Sequence, residues 1–531
     1  MVLESLGAEV QEYIKTVERQ KAEAQSYVEE LTKKHSEEIN LLRIQYLEMK
    51  ERYDLLLFKR YGRAAEQLLR DKTQMLLFDE PKGTEECGEG ATENTGTREI
   101  KSYRRRNYGG RKPIDPNIPR VDHIIDIPEE EKQCACGARM VKIGEEVSER
   151  LHIVAPRIYV DREIRPKYAC RECEGTCDED KPVVRIAPAS PSIIPGSIVT
   201  PGLLSAILVG KYQDHLPFYR QELQFERIGV TISRQNMCNW QEKAYEKLAP
   251  LFKLLRQTVK EGLFMAMDET RVQVMREEGK ANTTESYMWL TKGGPPDKPV
   301  VIFEYRPTRA AKHLPEFLEG FRGYLQTDGY EGYDSALGSY PEIRHIGCFS
   351  HVRRKFFEAA KASKKDGLAE EAIGYIRKLY GAEREQREKN LPLSKFLSER
   401  GKSAAPILEA FKTWLDAKVL EVPPSLLLGH AISYTLNQWD KLTAYIECAY
   451  VTPDNNACEN AIRPFVVGRK NWLFNQSPDG AKSSCAMYTL IETAKQNSLI
   501  PGNYLNLLFE RCPLVQTPED WVALLPWNVK K

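Results

Sequence analysis

The hydrophobic period of the chain changes at residue 263. Before and after the stretch 263–348 apolar residues recur at helical spacing, whereas inside it lie six short runs typical of β-strands: LFMAMDE, RVQVM, YMWLT, VVIFEY, YLQTD and IRHIGC. A helix is predicted over AAKHLPEFLEGF, between the fourth and fifth runs, and another from Ser350 onward. Residues 351–448 have an almost wholly helical pattern. This order predicts an α/β core followed by a helical block.

Three acidic residues occupy positions suited to metal chemistry. Asp268 ends the predicted strand LFMAMD, and Asp328 ends YLQTD. Glu459 lies in TPDNNACENAIRPF, where Thr452 or Asp454 can cap a helix whose second turn contains Glu459. Carboxylates at the ends of adjacent strands converge on one sheet edge, and two Mg²⁺ ions about 3.5–4 Å apart can act there on a phosphodiester. The alternative for each aspartate taken singly is a turn or cap residue.

Basic residues flank the acidic ones. The candidates for contact with a polyanion are Arg353, Arg354 and Lys355 in CFSHVRRKF, and Arg463, Arg469 and Lys470 in AIRPFVVGRKNWLF. A metal site that acts on phosphates needs such neighbours. The alternative is an ion-paired helix surface, in which His351 is a helix N-terminal residue without chemistry.

The first 78 residues predict a coiled coil. Residues 1–60 contain no proline, and their apolar residues alternate in spacing between three and four, with a break in phase near His35. The stripe is narrow and the remaining faces are charged, so a homo-oligomer is expected. The alternative is a single long helix that packs on its own chain.

Two further segments are candidates for contact with DNA. In the predicted flexible linker 79–118, KSYRRRNYGGRKP contains no acid and carries Arg104, Arg105 and Arg106, which suit phosphates or a minor groove. The alternative is a solvated basic loop. In the helical segment 187–258, a break at Gly229 and a helix start near Ser233 allow a helix-turn-helix. Its second helix is expected to expose Arg234, Gln235 and Asn239.

Composition bounds the class of protein only loosely. The chain has 531 residues, of which 41% are hydrophobic, and this is enough for three or four domains. Lys+Arg is 77 and Asp+Glu is 76, so local clustering decides whether nucleic acid is bound. There is no apolar run of about 18 residues and no secretory pattern at the start, so a cytoplasmic, nucleoid-associated protein without a membrane partner is expected.

A set of longer motifs resembles the large transposase of the insertion sequence sixty-six (IS66) family. The matching stretches run in family order from about residue 50 to the end, and they are LLFKRYGRAAEQL with QMLLFDE, CACGARMVKIGEEVSERL with RPKYACREC, LVGKYQDHLPFYRQE, MDET, LQTDGYEGY, GCFSHVRRKF, DNNACENAIRPFVVGRKNWLF and LPWN. The resemblance implies an RNase H-like catalytic domain with a DDE triad of Asp268, Asp328 and Glu459. It also implies a helical insertion between the second and third acids, and two small accessory proteins encoded nearby.

The cysteines are compatible with the same family. Cys134, Cys136, Cys170 and Cys173 form two close pairs, and four thiolates of this kind make a closed structural zinc site. The first pair departs from the family spacing of two residues between cysteines, so Cys177 is an alternative ligand. Free buried thiols are the other possibility.

Together these features predict a multidomain α+β protein. Its predicted parts are a coiled coil (1–78), a linker (79–118), a zinc-binding module (119–186), a helical segment (187–258), the first part of the core (259–350), a helical insertion (351–448), the core segment with the third acid (449–480) and a helical tail (481–531). The expected activity is cleavage at transposon ends and strand transfer into target DNA, with two Mg²⁺ or Mn²⁺ ions and one structural Zn²⁺. The alternatives are an inactive DNA-binding relative, a nuclease without strand transfer and a coiled-coil zinc adaptor.

Overall fold

The computed structural model describes residues 7–61, 158–169, 184–362 and 367–529. The chain divides into two compact units, Glu80–Ala189 and a larger one made of Met1–Asp79 with Ser190–Lys531. The larger unit contains all three candidate catalytic acids.

The described part of the smaller unit contains a pair of short antiparallel strands, β1 (Lys167–Ala169) and β2 (Val184–Ile186). Arg165 Nη1 donates to the carbonyl oxygen of Ala187 at 3.1 Å, which joins the segments that flank the two strands. Several residues singled out from the sequence lie outside the described residues, namely Cys134, Cys136, Cys170, Cys173, Cys177, Arg104, Arg105 and Arg106.

Helices make up most of the larger unit. Within the described residues they are α1 (Ala8–Tyr61), α2 (Pro201–Tyr212), α3 (Phe218–Arg227), α4 (Arg234–Lys247), α5 (Ala249–Glu261), α6 (Leu314–Leu318), α7 (Glu331–Leu337), α8 (Phe349–Ala362), α9 (Leu368–Glu388), α10 (Leu393–Glu421), α11 (Leu427–Asn437), α12 (Trp439–Thr443), α13 (Asn456–Trp472), α14 (Pro478–Gln496), α15 (Pro501–Arg511) and α16 (Pro518–Ala523). Short 3₁₀ helices cover Ala311–His313, Ala444–Glu447 and Cys512–Leu514. No helix in the described parts of the chain combines the length and the apolar character that crossing a bilayer requires.

One mixed sheet lies at the centre of the larger unit. Its strands are β3 (Phe264–Val274), β4 (Glu285–Gly293), β5 (Val300–Arg306), β6 (Gly323–Gln326), β7 (Ile343–Ile346) and β8 (Phe474–Asn475). The order is β5–β4–β3–β6–β7, and the short β8 also pairs with β3. The pairs β3–β4 and β4–β5 are antiparallel, whereas the pairs β3–β6 and β6–β7 are parallel. The prediction of an α/β core followed by a helical block is confirmed at this level.

Helix α14 covers the edge of the sheet at β5. Thr489 Oγ1 accepts a hydrogen bond from the backbone nitrogen of Phe303 at 2.9 Å. Thr493 Oγ1 accepts from the nitrogen of Val301 at 3.1 Å and donates to its carbonyl oxygen at 2.9 Å. An edge strand otherwise presents unpaired backbone groups. The two threonines therefore provide hydrogen-bond partners for backbone groups of β5 that another strand would otherwise pair.

The strand that carries Asp268 is longer than the sequence indicated. LFMAMDE and RVQVM were expected as separate strands with Asp268 at the end of the first, and this was wrong, because both belong to β3. Antiparallel pairing with β4 continues without a break from Met265 to Gln273. The parallel neighbour β6 is paired only as far as Ala266. Asp268 therefore lies inside β3, at a level just past the end of its parallel neighbour β6.

Helices α3 and α4 begin and end where the sequence indicated. Gly229 adopts a φ of +82°, a conformation that favours glycine, and it separates the two helices. Ser233 caps α4 by accepting a hydrogen bond from the nitrogen of Asn236 at 3.2 Å. Arg234 and Gln235 are exposed, as predicted, but Asn239 is half-buried and accepts a hydrogen bond from Gln235 at 2.9 Å. Recognition of DNA by this pair stays a prediction.

The apolar stripe of α1 is exposed over much of its length. Tyr13 and Met49 are each 71% exposed. Near its C-terminal end the helix contacts the helical block, where Glu51 accepts a hydrogen bond from the backbone nitrogen of Leu427 at 3.0 Å. A helix of 54 residues with an exposed apolar stripe is compatible with a coiled coil, and pairing with a second copy stays a prediction.

A buried arginine braces the helical block against the segment that leads to α13. Arg400 of α10 is 1% exposed, and its guanidinium pairs with Glu383 of α9, with Nε–Oε2 and Nη2–Oε1 distances of 2.9 and 2.5 Å. The same guanidinium donates to the carbonyl oxygens of Tyr445, Cys448 and Val451 at 2.7–2.8 Å. The segment that precedes Glu459 in the chain is therefore held by the helical block.

Substitution of Arg400 should destabilise the protein strongly. Arg400→Met leaves the buried Glu383 with Arg387 as its remaining ion-pair partner, and it removes one hydrogen-bond donor from each of three carbonyl groups. We expect the free energy of unfolding, measured by urea denaturation, to fall by about 3–5 kcal/mol. Lys412→Met is the control, because it breaks the exposed pair with Asp416 and should cost less than about 1 kcal/mol. Equal losses in the two variants would contradict the bracing role.

Candidate active site

The register of the parallel strands β3 and β6 places Asp268 and Asp328 at the same level of the sheet. β3 and β6 pair from Phe264 opposite Tyr324 to Ala266 opposite Gln326. Continuing this register by two residues puts Asp268 level with Asp328. The prediction that these two carboxylates converge at one edge of the sheet therefore agrees with the observed topology.

Asn455, at the start of α13, forms hydrogen bonds to the same edge of the sheet. Its side-chain Nδ2 donates to the carbonyl oxygen of Met267 at 3.1 Å, next to Asp268. Its backbone nitrogen donates to Sγ of Cys348, just past β7, at 3.2 Å. One residue thus connects the interior of β3 and the residues just past β7 with the helix that carries Glu459, although Glu459 and Asp268 are far apart in the chain.

The cap of α13 differs from the expectation. Asn455, rather than Thr452 or Asp454, is the N-cap residue, and Glu459 lies in the first turn instead of the second. The reason is local hydrogen bonding before the helix. Thr452 Oγ1 donates to the carbonyl oxygen of Asp454 at 2.8 Å, and Asp454 Oδ1 accepts from the nitrogen of Asn456 at 3.1 Å. This turn delays the helix and places Glu459 close to the sheet.

The three acids influence one another electrostatically. Burial raises the pKa of Asp268 well above its ordinary value, and the negative charges of Glu269, Glu459 and Asp328 raise it further. Burial also raises the pKa of Glu459; the charge of Arg354 opposes this rise, and that of Asp328 adds to it. Oε1 of Glu459 is buried without a hydrogen-bond partner. An excess of enclosed carboxylate oxygens is the donor set that fits hard divalent cations.

Glu269, Arg309 and Tyr333 complete the site and were not recognised in the sequence. The side chain of Glu269 is 1% exposed; it forms an ion pair with Arg309 and accepts a hydrogen bond from the hydroxyl of Tyr333 at 2.7 Å. Arg309 also pairs with Asp328, with an Nη2–Oδ2 distance of 3.1 Å, and its guanidinium lies 3.9 Å from the ring centroid of Tyr330. Arg309 therefore supplies part of the positive charge that the acids need.

Two motifs held a signal for the missed residues. Glu269 is the second acid of MDET, and Tyr333 is the last residue of LQTDGYEGY. Arg309 lies in a loop after β5 with no pattern around it. Its position could not be inferred, because the contact with Glu269 and Asp328 arises only when β3, β5 and β6 are assembled.

A histidine and a cysteine lie beside Glu459. Nδ1 of His351, in the first turn of α8, is 4.0 Å from Oε1 of Glu459. Ligand atoms of Cys348, His351 and Glu459 lie within 4.8 Å of one another. Burial lowers the pKa of His351, and the charge of Arg354 lowers it further. A neutral imidazole therefore faces the third acid.

The basic residues predicted to contact DNA differ in their surroundings. Arg354 and Lys355 on α8 and Lys470 on α13 are exposed, whereas Arg353 and Arg463 are half-buried. Arg469 donates to the hydroxyl of Thr270 at 3.0 Å and to the carbonyl oxygen of Arg271, so it joins α13 to β3. The exposed residues have the position that phosphate contact requires.

Removal of the Asp268 charge should stabilise the metal-free protein. The folded state holds the proton of Asp268 more tightly than the unfolded state, so stability is lost as pH rises from the ordinary carboxyl pKa through the raised one. At pH 7 with a chelator, Asp268→Asn should raise the melting temperature by about 2–4 °C. The gain should vanish near pH 3 and shrink when Mg²⁺ is added.

The exposed Asp297 is the matched control for this measurement. Asp297→Asn should leave the melting temperature unchanged at either pH. A lower melting temperature for Asp268→Asn in chelator would mean that the carboxylate is stabilising, against the crowding of acids described above.

Four family profiles match the chain. The profile of the Transposase IS66 family matches residues 196–483 and includes all three acids. The zinc-finger binding domain of transposase IS66 matches residues 131–174, and the IS66 C-terminal element matches 489–527. A fourth, described as Transposase C of IS166 homeodomain, matches 48–122.

Two curated relatives match the chain over most of its length. The chain is similar to two proteins of Sinorhizobium fredii (strain NBRC 101917 / NGR234), named Uncharacterized protein y4qI and Uncharacterized protein y4jD. The first is 32% identical over 455 residues, which cover 82% of each chain. The second is 30% identical over 430 residues, which cover 78% of this chain and 81% of the relative. A profile match over more than half of the chain, around an edge where three acids converge, leads to one conclusion: the protein belongs to the IS66 family of transposases.

Proposed function

We propose that this transposase uses a DDE triad of Asp268, Asp328 and Glu459 to cut DNA at the ends of its element and to join the freed 3′ hydroxyl to target DNA. The observation that carries the proposal is the convergence of these carboxylates at one sheet edge, where burial, together with neighbouring negative charges, raises the pKa values of Asp268 and Glu459. Their crowding is costly without cations and favourable with them.

An RNase H-like core is proposed for the catalytic domain. Three antiparallel strands, β5, β4 and β3, continued by the parallel strands β6 and β7, support it. The helical block lies between the second and third acids in the chain, where the family resemblance puts an insertion. Membership of the IS66 family also supports a catalytic core that is interrupted by a helical insertion.

Each acid has a separate task in this proposal. Asp268 and Asp328 hold two Mg²⁺ or Mn²⁺ ions, and Glu459 completes the second site. When bound, such ions activate the attacking oxygen and stabilise the leaving oxygen of a phosphodiester. Arg354 and Lys355, exposed on the helix beside Glu459, bind the phosphates of the DNA strand and keep it in position. Arg309 neutralises Glu269 and Asp328 while DNA is absent.

The other parts of the chain are proposed to bring DNA and protomers together. The zinc-finger profile supports a structural Zn²⁺ and spans Cys134, Cys136, Cys170 and Cys173, whereas Cys177 lies outside it. We infer that the four cysteines within the profile are the ligands. The basic patch with Arg104, Arg105 and Arg106 contacts double-stranded DNA, and α1 forms a coiled coil between copies. Two small accessory proteins of the element are further proposed partners.

Cleavage of DNA that carries the flanks of the gene tests the proposal. With Mg²⁺ or Mn²⁺, the wild-type protein should nick this DNA at fixed positions and leave 3′ hydroxyls. Asp268→Asn, Asp328→Asn and Glu459→Gln should each lower the rate at least about 10³-fold, because residues that act as a unit fail together. DNA binding, measured by gel shift, should be retained. Asp297→Asn, with an exposed acid, should cleave at the wild-type rate.

Three results would contradict the proposal. Cleavage at the wild-type rate by any of the three triad variants would remove that residue from the triad. Absence of cleavage by the wild-type protein, even with the accessory proteins added, would point to an inactive DNA-binding relative. Cleavage without joined products would identify a nuclease that lacks strand transfer.

A further inference from the structure

Two buried polar atoms face each other where α8 and α13 begin. Nδ1 of His351 and Oε1 of Glu459 are 4.0 Å apart, and neither has a hydrogen-bond partner among the described residues. The separation is too long for a direct hydrogen bond. Buried polar atoms without partners cost free energy, so the pair requires something between its members.

The helix starts that carry the two atoms are held at this separation. The backbone nitrogen of Phe349, the first residue of α8, donates to the carbonyl oxygen of Pro453 at 2.9 Å. Asn455, which caps α13, donates from its backbone nitrogen to Sγ of Cys348 at 3.2 Å. The gap between the imidazole and the carboxylate is therefore built into the backbone of the two helices.

A divalent cation can bridge the gap. Bonds of about 2.0–2.2 Å to nitrogen and to oxygen let one ion span separations up to about 4.3 Å. Glu459 interacts electrostatically with Asp268, Asp328 and Asp454, and the positive charges of Arg354 and Arg463 oppose these carboxylates. A bound cation would add to that compensation, which a water molecule does not.

Other soft donors near the sheet edge are already occupied. Sγ of Cys348 accepts the hydrogen bond from Asn455, which ties this thiol to the start of α13. His345 has both ring nitrogens engaged, with Nε2 2.8 Å from the hydroxyl of Thr327 and Nδ1 3.2 Å from Oδ1 of Asp334. His351 is the histidine at this edge with a ring nitrogen that remains available.

We propose that His351 is a metal ligand, and that its Nδ1 and Oε1 of Glu459 form a nitrogen–oxygen site for one divalent cation. The inference rests on the proposed function, because it takes Glu459 as a ligand of the catalytic ions. A mixed imidazole–carboxylate site favours Mn²⁺, Co²⁺ or Zn²⁺ over Mg²⁺. The third acid of the triad thus shares its ion with a histidine from GCFSHVRRKF.

Electron spin echo spectroscopy of bound Mn²⁺ tests this without any reaction. The full-length protein with one equivalent of Mn²⁺ and no DNA should show modulation from a directly bound ¹⁴N nucleus. The modulation should be lost in His351→Gln and kept in His345→Gln, the matched control. Calorimetry should show at least about a tenfold loss of Mn²⁺ affinity in His351→Gln, with a smaller loss for Mg²⁺.

A second variant guards against misfolding of the first. In His351→Ala, added ¹⁵N-imidazole should enter the space left by the ring and restore a ¹⁵N signal on the bound Mn²⁺. Nitrogen modulation and Mn²⁺ affinity that stay unchanged in His351→Gln would overturn the inference and leave the proposed function standing. Mn²⁺ binding that is insensitive to both Asp268→Asn and Glu459→Gln would instead overturn the proposed catalytic site, and the inference with it.

Discussion

The hydrogen bond from the Asn455 side chain to the carbonyl oxygen of Met267 is the contact on which the site depends. It joins β3, beside Asp268, to the N-cap of the helix that carries Glu459. The backbone nitrogen of the same residue binds Cys348 at the end of β7. Because both contacts are buried, their loss would leave unsatisfied polar groups within the site. Asn455 of DNNACENAIRPF therefore holds α13, which is distant in the chain, against this edge of the sheet.

The chemistry of the site follows from an excess of negative charge. Asp268, Glu269, Asp328 and Glu459 are enclosed together, and the guanidinium of Arg309 offsets only the pair formed by Glu269 and Asp328. Burial stabilises the neutral form of a carboxyl group, whereas a cation stabilises the charged form. The folded protein thus holds acids in an arrangement that is unfavourable alone and favourable around divalent ions. Such an arrangement trades stability for function at the site.

The helical block holds the backbone that leads to Glu459. Arg400, buried between α10 and α9, donates to three carbonyl groups in the segment that leads to Pro453 and α13. Gln326, at the end of β6, donates to the carbonyl oxygen of Thr452 at 2.9 Å. The third acid is therefore positioned from both sides, by the sheet and by the insertion. This explains how an insertion of about a hundred residues is compatible with a compact site.

Local pattern by itself determined the type and order of the elements, since hydrophobic period, the glycine at 229 and the cap at Ser233 act within a few residues. The sequence pattern also identified Asp268, Asp328 and Glu459 as candidates, because each acid follows an apolar run or lies inside a long motif. Only the tertiary structure decided that β3 runs on past Asp268, that Asn455 caps α13, and that Arg309, Tyr333 and His351 face the acids. These contacts join residues 19 to 188 positions apart, and their geometry depends on strand register and helix packing. No local pattern records such distances, because they exist only after the whole sheet and its insertion have assembled.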